Sequence, residues 1–150
     1  FRHYGHPDRR GLYDRVQRVA RRRGLVLVLA GTARQAAGWR ADGVHGPGQP
    51  AHSARPLLRT ASAHNAREIR QAERAGAEIV FLSPVFTTRS HPGKRTLGPI
   101  RFGLLAQGSK AGIVALGGVD AHRARRLYPL GAAGWAAIDA WLDEPRRRQK

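Results

Sequence analysis

Short apolar segments alternate with amphipathic helical segments along most of the chain, and this alternation limits the possible folds more than any other feature. The segment LVLVLA at 25–30 is a continuous apolar run of the kind that parallel sheets bury on both faces. It follows a segment at 10–23 in which apolar residues recur at helical spacing and arginines occupy the other side. Strands and helices that alternate in this way form parallel βα units with right-handed crossovers. The sequence therefore predicts an α/β fold.

Local patterns predict the remaining elements. Asn65 with Glu68 three residues later is typical of a capping box, and Asp120 is typical of a helix N-cap. Residues 1–4 read as the end of a strand. Further strands are predicted at 42–45, 58–62, 78–83, 112–116 and 132–138, and helices at 33–37, 65–75, 100–107, 120–128 and around Trp141. No segment is rich enough in Pro or Ser to divide the chain, so we expect one domain at 1–144 and a basic tail at 145–150.

Two of the predicted strands end on groups that suit an anion. The segment 79–98, IVFLSPVFTTRSHPGKRTLG, runs from an apolar strand into a loop that contains hydroxyls, a histidine and basic side chains. A second strand, IVALGGV, ends on Gly117 and Gly118, and paired glycines let backbone N–H groups approach a phosphate closely. Together the two strand ends predict a small phosphorylated ligand.

The composition narrows the cellular setting and the partners. A formal net charge of +17 invites a nucleic-acid interpretation, but the chain has no zinc-finger, helix-turn-helix or aromatic RNA-binding pattern. The arginine excess is also what a GC-rich coding sequence gives, so we expect no nucleic-acid partner. The chain has no cysteine, which favours a cytoplasmic location, and no apolar run of the ~18 residues that span a bilayer.

Six short motifs in order resemble the thiamine phosphate synthase/TenI family. They are DGVH (42–45), SAH (62–64), AERAGAEIVFLSPVFTT (72–88), HPGKRTLG (91–98), ALGGV (115–119) and GAAGWAAI (131–138). The resemblance implies a TIM (β/α)8 barrel. Because the chain starts at Phe1 with what reads as a strand end, we expect a barrel that is incomplete at the N-terminus, with about six to seven of the eight βα units.

The resemblance also implies a reaction in thiamine biosynthesis. Synthases of this family join hydroxymethylpyrimidine pyrophosphate to a thiazole phosphate through a pyrimidine-stabilised cation, and they release pyrophosphate with the help of Mg²⁺. We therefore expect a transferase with small phosphorylated pyrimidine and thiazole substrates, and a possible homo-oligomer. The alternatives are a TenI-like thiazole tautomerase, a non-catalytic binder of phosphorylated thiamine precursors and, outside this class, a basic nucleic-acid-binding protein.

Matching by position assigns the site residues that the resemblance implies. Ser62 and His64 fall on the family's serine and histidine after the fifth strand, and we expect them to be catalytic. Arg2 matches the arginine that meets the pyrimidine pyrophosphate, and His91 replaces a lysine that contacts pyrophosphate. The other residues expected to bind substrate are Thr88, Arg89, Ser90, Gly117, Gly118, Ile138 and Asp139.

The positions that hold Mg²⁺ in the family have changed. Ala30 and Gly31 replace an Asn-Asp pair, and Pro50 replaces a second acidic ligand. Mg²⁺ prefers carboxylate oxygen, so Mg²⁺ is possible by resemblance only and no residue is predicted as a metal ligand. A tautomerase needs a base near neutral pKa and no such metal, which His64 would supply.

Overall fold

The structure is a computed structural model, and it describes residues 1–46, 56–88, 93 and 95–138. In this part of the chain, parallel strands alternate with helices. The helices of this part are α1 (Arg9–Arg22), α2 (Ala33–Gly38), α3 (Ala66–Arg74), α4 (Gly98–Gln107), α5 (Ala121–Arg125) and a 3₁₀ helix (Tyr128–Leu130). Its strands are β1 (Val28–Ala30), β2 (Gly43–His45), β3 (Leu58–Ala63), β4 (Ile79–Leu82), β5 (Gly112–Leu116) and β6 (Gly134–Ala136). No helix in these ranges is both long enough and apolar enough to cross a bilayer.

The chain divides into two compact units. The first unit comprises Phe1–Ala61 and Ala75–Glu78, and the second comprises Ser62–Arg74 and Ile79–Lys150. In the first unit β1 pairs with β2 and β2 pairs with β3. In the second unit β4 pairs with β5 and β5 pairs with β6. All of these pairs are parallel and follow the order of the sequence, which confirms the parallel α/β architecture.

The first unit packs helix α1 and helix α2 on its strands. The amino group of Phe1 donates to the Val28 carbonyl at 2.6 Å, and the Ala30 N–H donates to the Phe1 carbonyl at 2.9 Å. Phe1 thus lies beside β1, but residues 1–4 form no strand in the structure, so the strand end predicted there is not observed. Asp8 caps α1 by accepting a hydrogen bond from the Gly11 N–H at 2.8 Å. The buried core of this unit consists of Tyr13, Leu29, Ala36, Ala41 and Val44.

The second unit is organised by two glutamates of α3. The Glu68 N–H donates to Asn65 Oδ1 at 3.0 Å, so the predicted capping box is present. Glu73 Oε1 accepts hydrogen bonds from Ser109 Oγ at 2.6 Å and from the Lys110 N–H at 2.7 Å, which ties the loop before β5 to α3. The largest fully buried side chains of this unit are Phe102, Leu82, Ile113, Leu127, Val80 and Val85.

Three predicted elements extend two or more residues beyond the observed ones at one end or at both. Leu25 and Val26 are 60% and 65% exposed and precede β1, because Gly24 is left-handed and the Leu25 N–H donates back to α1 at the Ala20 carbonyl. The helix predicted at 120–128 ends at Arg125, and a 3₁₀ helix containing a proline follows it. The last strand begins at Gly134 rather than at 132. In each case a helix end or turn uses backbone groups that the longer element would need.

Candidate functional site

The carboxyl ends of β4 and β5 meet through main-chain hydrogen bonds in the second unit. The Val85 N–H donates to the Leu116 carbonyl at 3.0 Å, and the Phe86 N–H donates to the Gly117 carbonyl at 3.0 Å. The loop that follows β4 therefore lies against the turn formed by Gly117 and Gly118, here called the glycine turn. Thr88, at the end of the described part of this loop, is half-buried.

Both residues of the glycine turn must be glycine on steric grounds. Their φ angles are +90° and +61°, which side chains disfavour. A Cβ on Gly117 would lie 2.9 Å from Pro84 Cα, and a Cβ on Gly118 would collide with the carbonyl oxygen of Thr87. Close approach of the β4 loop thus explains the glycine doublet without any ligand, and its phosphate-binding role stays a prediction.

Arg123 lies beside the glycine turn, and its positive charge is paired with Asp120, whose Oδ2 lies 3.8 Å from Arg123 Nε. Its Nη1 donates to the Gly118 carbonyl at 2.5 Å, and its guanidinium carbon lies 5.1 Å from the centre of the Phe86 ring. Asp120 Oδ1 accepts from the Arg123 N–H at 2.7 Å, so the residue is fixed at both ends. Arg123 is not among the site residues predicted from the sequence. The only indication in the sequence is its position three residues after the N-cap.

Ser62 and His64 lie at the carboxyl end of β3, beside the start of the β4 loop. The link is a hydrogen bond of 3.0 Å from the Ser83 N–H to the Ala63 carbonyl. Ser62 is exposed, whereas its strand neighbour Ala63 is buried. The His64 side chain is 58% exposed. Both predicted catalytic residues are therefore open to solvent at a strand end.

Glu68 is the partner of His64. Its Oε2 lies 2.8 Å from His64 Nδ1 and accepts the His64 backbone N–H at 2.8 Å, while its Oε1 accepts from Asn65 Nδ2 at 2.7 Å. The hydrogen bond from the His64 ring is the main cause that lowers the pKa of Glu68, with burial acting in the opposite direction. A carboxylate can only accept, so Nδ1 carries the proton and Nε2 is the basic nitrogen of the neutral ring. From the sequence, Glu68 was predicted only to cap a helix, although its i, i+4 spacing from His64 could have indicated this pair.

Arg9 occupies the carboxyl ends of two neighbouring segments in the first unit. Its Nη2 donates to the Ala30 carbonyl at 2.7 Å and to the Arg2 carbonyl at 3.1 Å, and its Nε donates to the same Arg2 oxygen at 3.2 Å. Its guanidinium carbon lies 5.7, 5.0 and 5.2 Å from the ring centres of Phe1, Tyr4 and Trp39. Arg9 is not among the residues predicted from the sequence, because Ala30 and Trp39 are distant along the chain and only folding brings them to it.

His45, at the end of β2, is part of the same unit. Its Nδ1 lies 2.8 Å from the Oγ1 of the buried Thr60. Burial lowers the pKa of His45 most, and the positive charges of Arg2 and the Phe1 amino group lower it further. The ring is therefore neutral at neutral pH. Arg2, the predicted pyrophosphate ligand, has an exposed side chain whose charge acts on this ring.

The described residues do not fit the Mg²⁺ that the family resemblance implies. Ala30 and Gly31 carry no side-chain oxygen, and the Ala30 carbonyl is already bound by Arg9. A Cβ on Gly31 would collide with Oε1 of Gln35, so an acidic side chain there would have to displace it. Within the described ranges no three His, Asp or Glu side chains are grouped so that they could hold a metal ion.

Several predicted site residues fall outside the described residues. They are Arg89, Ser90, His91 and Asp139, together with Pro50 of the expected metal site. Ile138 is described: it lies two residues beyond β6 and is 72% exposed. In the second unit the structure links the loop of Thr88 to the glycine turn, and the end of β3 to the start of that loop. Arg2 belongs to the first unit.

Parallel strands that follow the order of the sequence, with helices between them, define the class as a parallel α/β protein, and the barrel type follows from its likeness to solved structures. The structure resembles thiamine phosphate pyrophosphorylase from Pyrococcus furiosus with a TM-score of 0.72 and 23% identity, over 91% of this chain and 69% of that chain. It also resembles thiamine phosphate pyrophosphorylase from Bacteroides thetaiotaomicron with a TM-score of 0.58 and 14% identity, over 96% of this chain and 72% of that one. These likenesses confirm the fold class predicted from the sequence.

The family follows from the sequence itself. Residues 2–141 match the family model TMP-TENI, described as thiamine monophosphate synthase, so the chain belongs to this family. It is 33% identical to a thiamine-phosphate synthase from Geobacillus thermodenitrificans, over 92% of this chain and 66% of the relative. It is 34% identical to the thiamine biosynthesis bifunctional protein ThiM/ThiE from Symbiobacterium thermophilum, over 87% of this chain and 29% of the relative. The chain thus spans two thirds or less of the length of these relatives.

Proposed function

We propose that the protein acts in thiamine biosynthesis, joining hydroxymethylpyrimidine pyrophosphate to thiazole phosphate to give thiamine phosphate and pyrophosphate. The family match over residues 2–141 supports this reaction class. The observation that carries the proposal is the glycine turn, which lies against the loop of Thr88 at the strand ends of the second unit. A cytoplasmic location and a homo-oligomer remain predictions from the sequence.

The second unit is proposed to bind the thiazole phosphate. Backbone N–H groups of the glycine turn and the hydroxyl of Thr88 suit phosphate oxygens, and the charge of Arg123 favours an anion next to the turn. Ile138 is proposed to contribute its backbone from the end of β6. The proposal also includes Arg89, Ser90, His91 and Asp139.

The first unit is proposed to receive the pyrimidine pyrophosphate. In the reaction, the bond between the pyrimidine methylene carbon and the pyrophosphate oxygen breaks, and its electron pair leaves with pyrophosphate. The thiazole ring nitrogen then forms the new bond to that carbon. Arg2 is proposed to offset the charge that develops on pyrophosphate; its side chain is exposed and its charge acts on His45 at the end of β2. No step is assigned to Mg²⁺, since the described residues do not fit it.

The pair formed by His64 and Glu68 favours a second candidate function, proton transfer on a thiazole ring. The carboxylate keeps the proton of the neutral ring on Nδ1, so Nε2 can take a proton from one position of the substrate and return it at another. Such an isomerisation balances without a metal or a second substrate. A non-catalytic binder of the same phosphorylated precursors would need only the glycine turn.

One experiment separates these functions. The purified protein is supplied with both precursors, with and without Mg²⁺, and thiamine phosphate and pyrophosphate are measured by phosphorus NMR. The synthase proposal expects both products, and it expects their loss in Gly118→Asp. If no product forms, the thiazole carboxylate isomers are supplied alone. Interconversion that disappears in His64→Gln would then establish the isomerase, and phosphate binding without either reaction would leave the binder.

A further inference from the structure

The two carbonyl oxygens of the glycine turn each accept a hydrogen bond. The Gly117 carbonyl accepts from the Phe86 N–H at 3.0 Å, and the Gly118 carbonyl accepts from Arg123 Nη1 at 2.5 Å. Both peptide bonds are trans, and in a trans peptide the N–H of the following residue points away from the carbonyl oxygen. The Gly118 N–H therefore points away from Phe86 N, and the Val119 N–H points away from the Arg123 guanidinium.

These two N–H groups suit an acceptor from outside the protein. Neither the Gly118 N–H nor the Val119 N–H donates a hydrogen bond to any residue in the described part of the chain. Val119 is only 3% exposed, and a backbone donor in so buried a residue ordinarily has a partner. A phosphate oxygen that reaches the turn would supply an acceptor for both donors.

The Arg123 side chain fixes the second peptide of the turn. Its guanidinium carbon lies 5.1 Å from the ring centre of Phe86, in the loop after β4. Asp120 Oδ2 lies 3.8 Å from Arg123 Nε and offsets part of the positive charge. The first peptide is held by the main chain of Phe86, which every substitution of that side chain would leave in place. The second peptide depends on the side chain of Arg123.

We propose that Arg123 is a positioning residue of the phosphate site: it holds the Gly118 carbonyl and thereby directs the Val119 N–H to a phosphate oxygen, without itself contacting the phosphate. The phosphate rests on the proposed function, in which this turn binds thiazole phosphate. Without Arg123 the peptide between Gly118 and Val119 is free to turn over, because glycine accepts a wide range of backbone angles. Arg123 thus acts through the direction of one peptide group.

Titration with inorganic phosphate, followed by amide NMR, tests this role. Affinities are measured at about 0.05 and 0.5 M salt. Arg123→Met should bind phosphate about tenfold more weakly, the equivalent of one hydrogen bond, and by the same factor at both salt concentrations. A guanidinium that bound the phosphate directly would give a loss that shrinks as salt screens the charge. Arg123→Lys keeps a donor of similar reach and should bind within about threefold of the wild type.

The individual amide signals separate positioning from a general loss of structure. In the wild type, phosphate should shift the signals of both the Gly118 N–H and the Val119 N–H. In Arg123→Met the Val119 shift should disappear while the Gly118 shift remains, because the Phe86 N–H still holds the Gly117 carbonyl. If Arg123→Met does not fold, as circular dichroism would show, Arg123→Ala takes its place with the same expectations, since alanine suits a helix.

Arg125→Met is the matched control, because Arg125 is an exposed arginine of the same helix and its loss changes the net charge equally. An equal loss of affinity in this control, a loss that shrinks at high salt, an unchanged Val119 shift in Arg123→Met, or no phosphate binding by the wild type would overturn the proposal. Thiamine phosphate synthesis is measured separately. Phosphate binding that depends on Arg123 without synthesis would remove the proposed function and leave this inference, and synthesis with phosphate binding unchanged in Arg123→Met would do the reverse.

Discussion

The carboxyl ends of the strands are formed mainly by main-chain groups in the second unit and mainly by side chains in the first unit. In the second unit the glycine turn and the loop after β4 are joined by main-chain hydrogen bonds, with glycine where a Cβ would collide. In the first unit a side chain occupies the carboxyl end of β1, because Arg9 donates to the Ala30 carbonyl and lies against the rings of Tyr4 and Trp39. A strand end formed by main-chain groups keeps its shape when most side chains are substituted. A strand end formed by side chains changes its chemistry with each substitution.

The largest expected effect is that of Gly118→Ala. A Cβ there would collide with the backbone oxygen of Thr87, so we expect a loss of about 3 kcal/mol in the free energy of unfolding, together with the loss of thiazole phosphate binding. Gly24→Ala is the control, because Gly24 has nearly the same φ, +62° against +61°, but no atom within 4 Å of the added Cβ. It should cost only about 1 kcal/mol. Equal losses in urea unfolding would show that the turn is not sterically required.

A smaller effect is expected in the first unit for Arg9→Met. The substitution removes the hydrogen bonds to two carbonyls and the aromatic contacts, at a cost of about 2 kcal/mol in unfolding free energy. Arg10→Met is the control, since Arg10 also lies 5.2 Å from the Trp39 ring but otherwise pairs with the partly exposed Asp14. We expect that change to cost less than about 1 kcal/mol. Equal destabilisation of the two variants would mean that the carbonyl contacts add nothing.

Glu68→Ala tests the second unit by removing the carboxylate that accepts hydrogen bonds from His64 and from Asn65 Nδ2, while the backbone N–H of residue 68 can still donate to Asn65 Oδ1. We expect a loss of about 1 kcal/mol in the free energy of unfolding. Nitrogen NMR of the imidazole should also change from a ring protonated at Nδ1 to a mixture of tautomers. Glu73→Gln, on the same helix but bonded to Ser109, should leave the His64 spectrum unchanged. A His64 spectrum that is identical in Glu68→Ala and the wild type would contradict the positioning role.

The lowered pKa of Glu68 predicts that the stability of the protein depends on pH in the acidic range. Because folding lowers the pKa of Glu68, its stabilising contribution is complete above the ordinary value of 4.5 and is lost as the pH falls through the lowered value. Glu68→Gln cannot titrate, so the stability difference between wild type and variant should shrink in that acidic range. Urea unfolding at a series of pH values measures it, and a constant difference would contradict the prediction.

The smallest effect is expected for His45. Folding lowers its pKa, mainly through burial, so the unfolded chain takes up the proton first as the pH falls below the ordinary value of 6.5. Stability should therefore decrease from neutral pH towards acid, and His45→Gln should reduce that slope. The measurement is the unfolding free energy of both proteins between neutral and mildly acidic pH. Parallel profiles would show that this ring does not titrate on unfolding.

Local patterns predicted some elements of the fold and overextended others. The capping box of Asn65 and Glu68 was correct because its hydrogen bonds join residues three positions apart. The strand predicted at 25–30 was too long, because hydrophobicity does not report that the Leu25 N–H is used to end α1. The spacing of Arg123 from Asp120 and of Glu68 from His64 could have predicted these contacts, but nothing in the sequence indicated that they are functional. The predicted roles of Ser62, His64 and the phosphate ligands stay predictions.

The sequence by itself determined the parallel alternation of strands and helices, the positions of the strand ends and the family, because these depend on periodicity and on short motifs in fixed order. Only the tertiary structure determined which side chains and carbonyl groups lie at those strand ends. It brought Arg9 to the Ala30 carbonyl, 21 positions away, and placed the Thr87 carbonyl where Gly118 admits no side chain. Contacts between distant residues depend on how the elements pack, and a pattern confined to neighbouring residues carries no information about that packing.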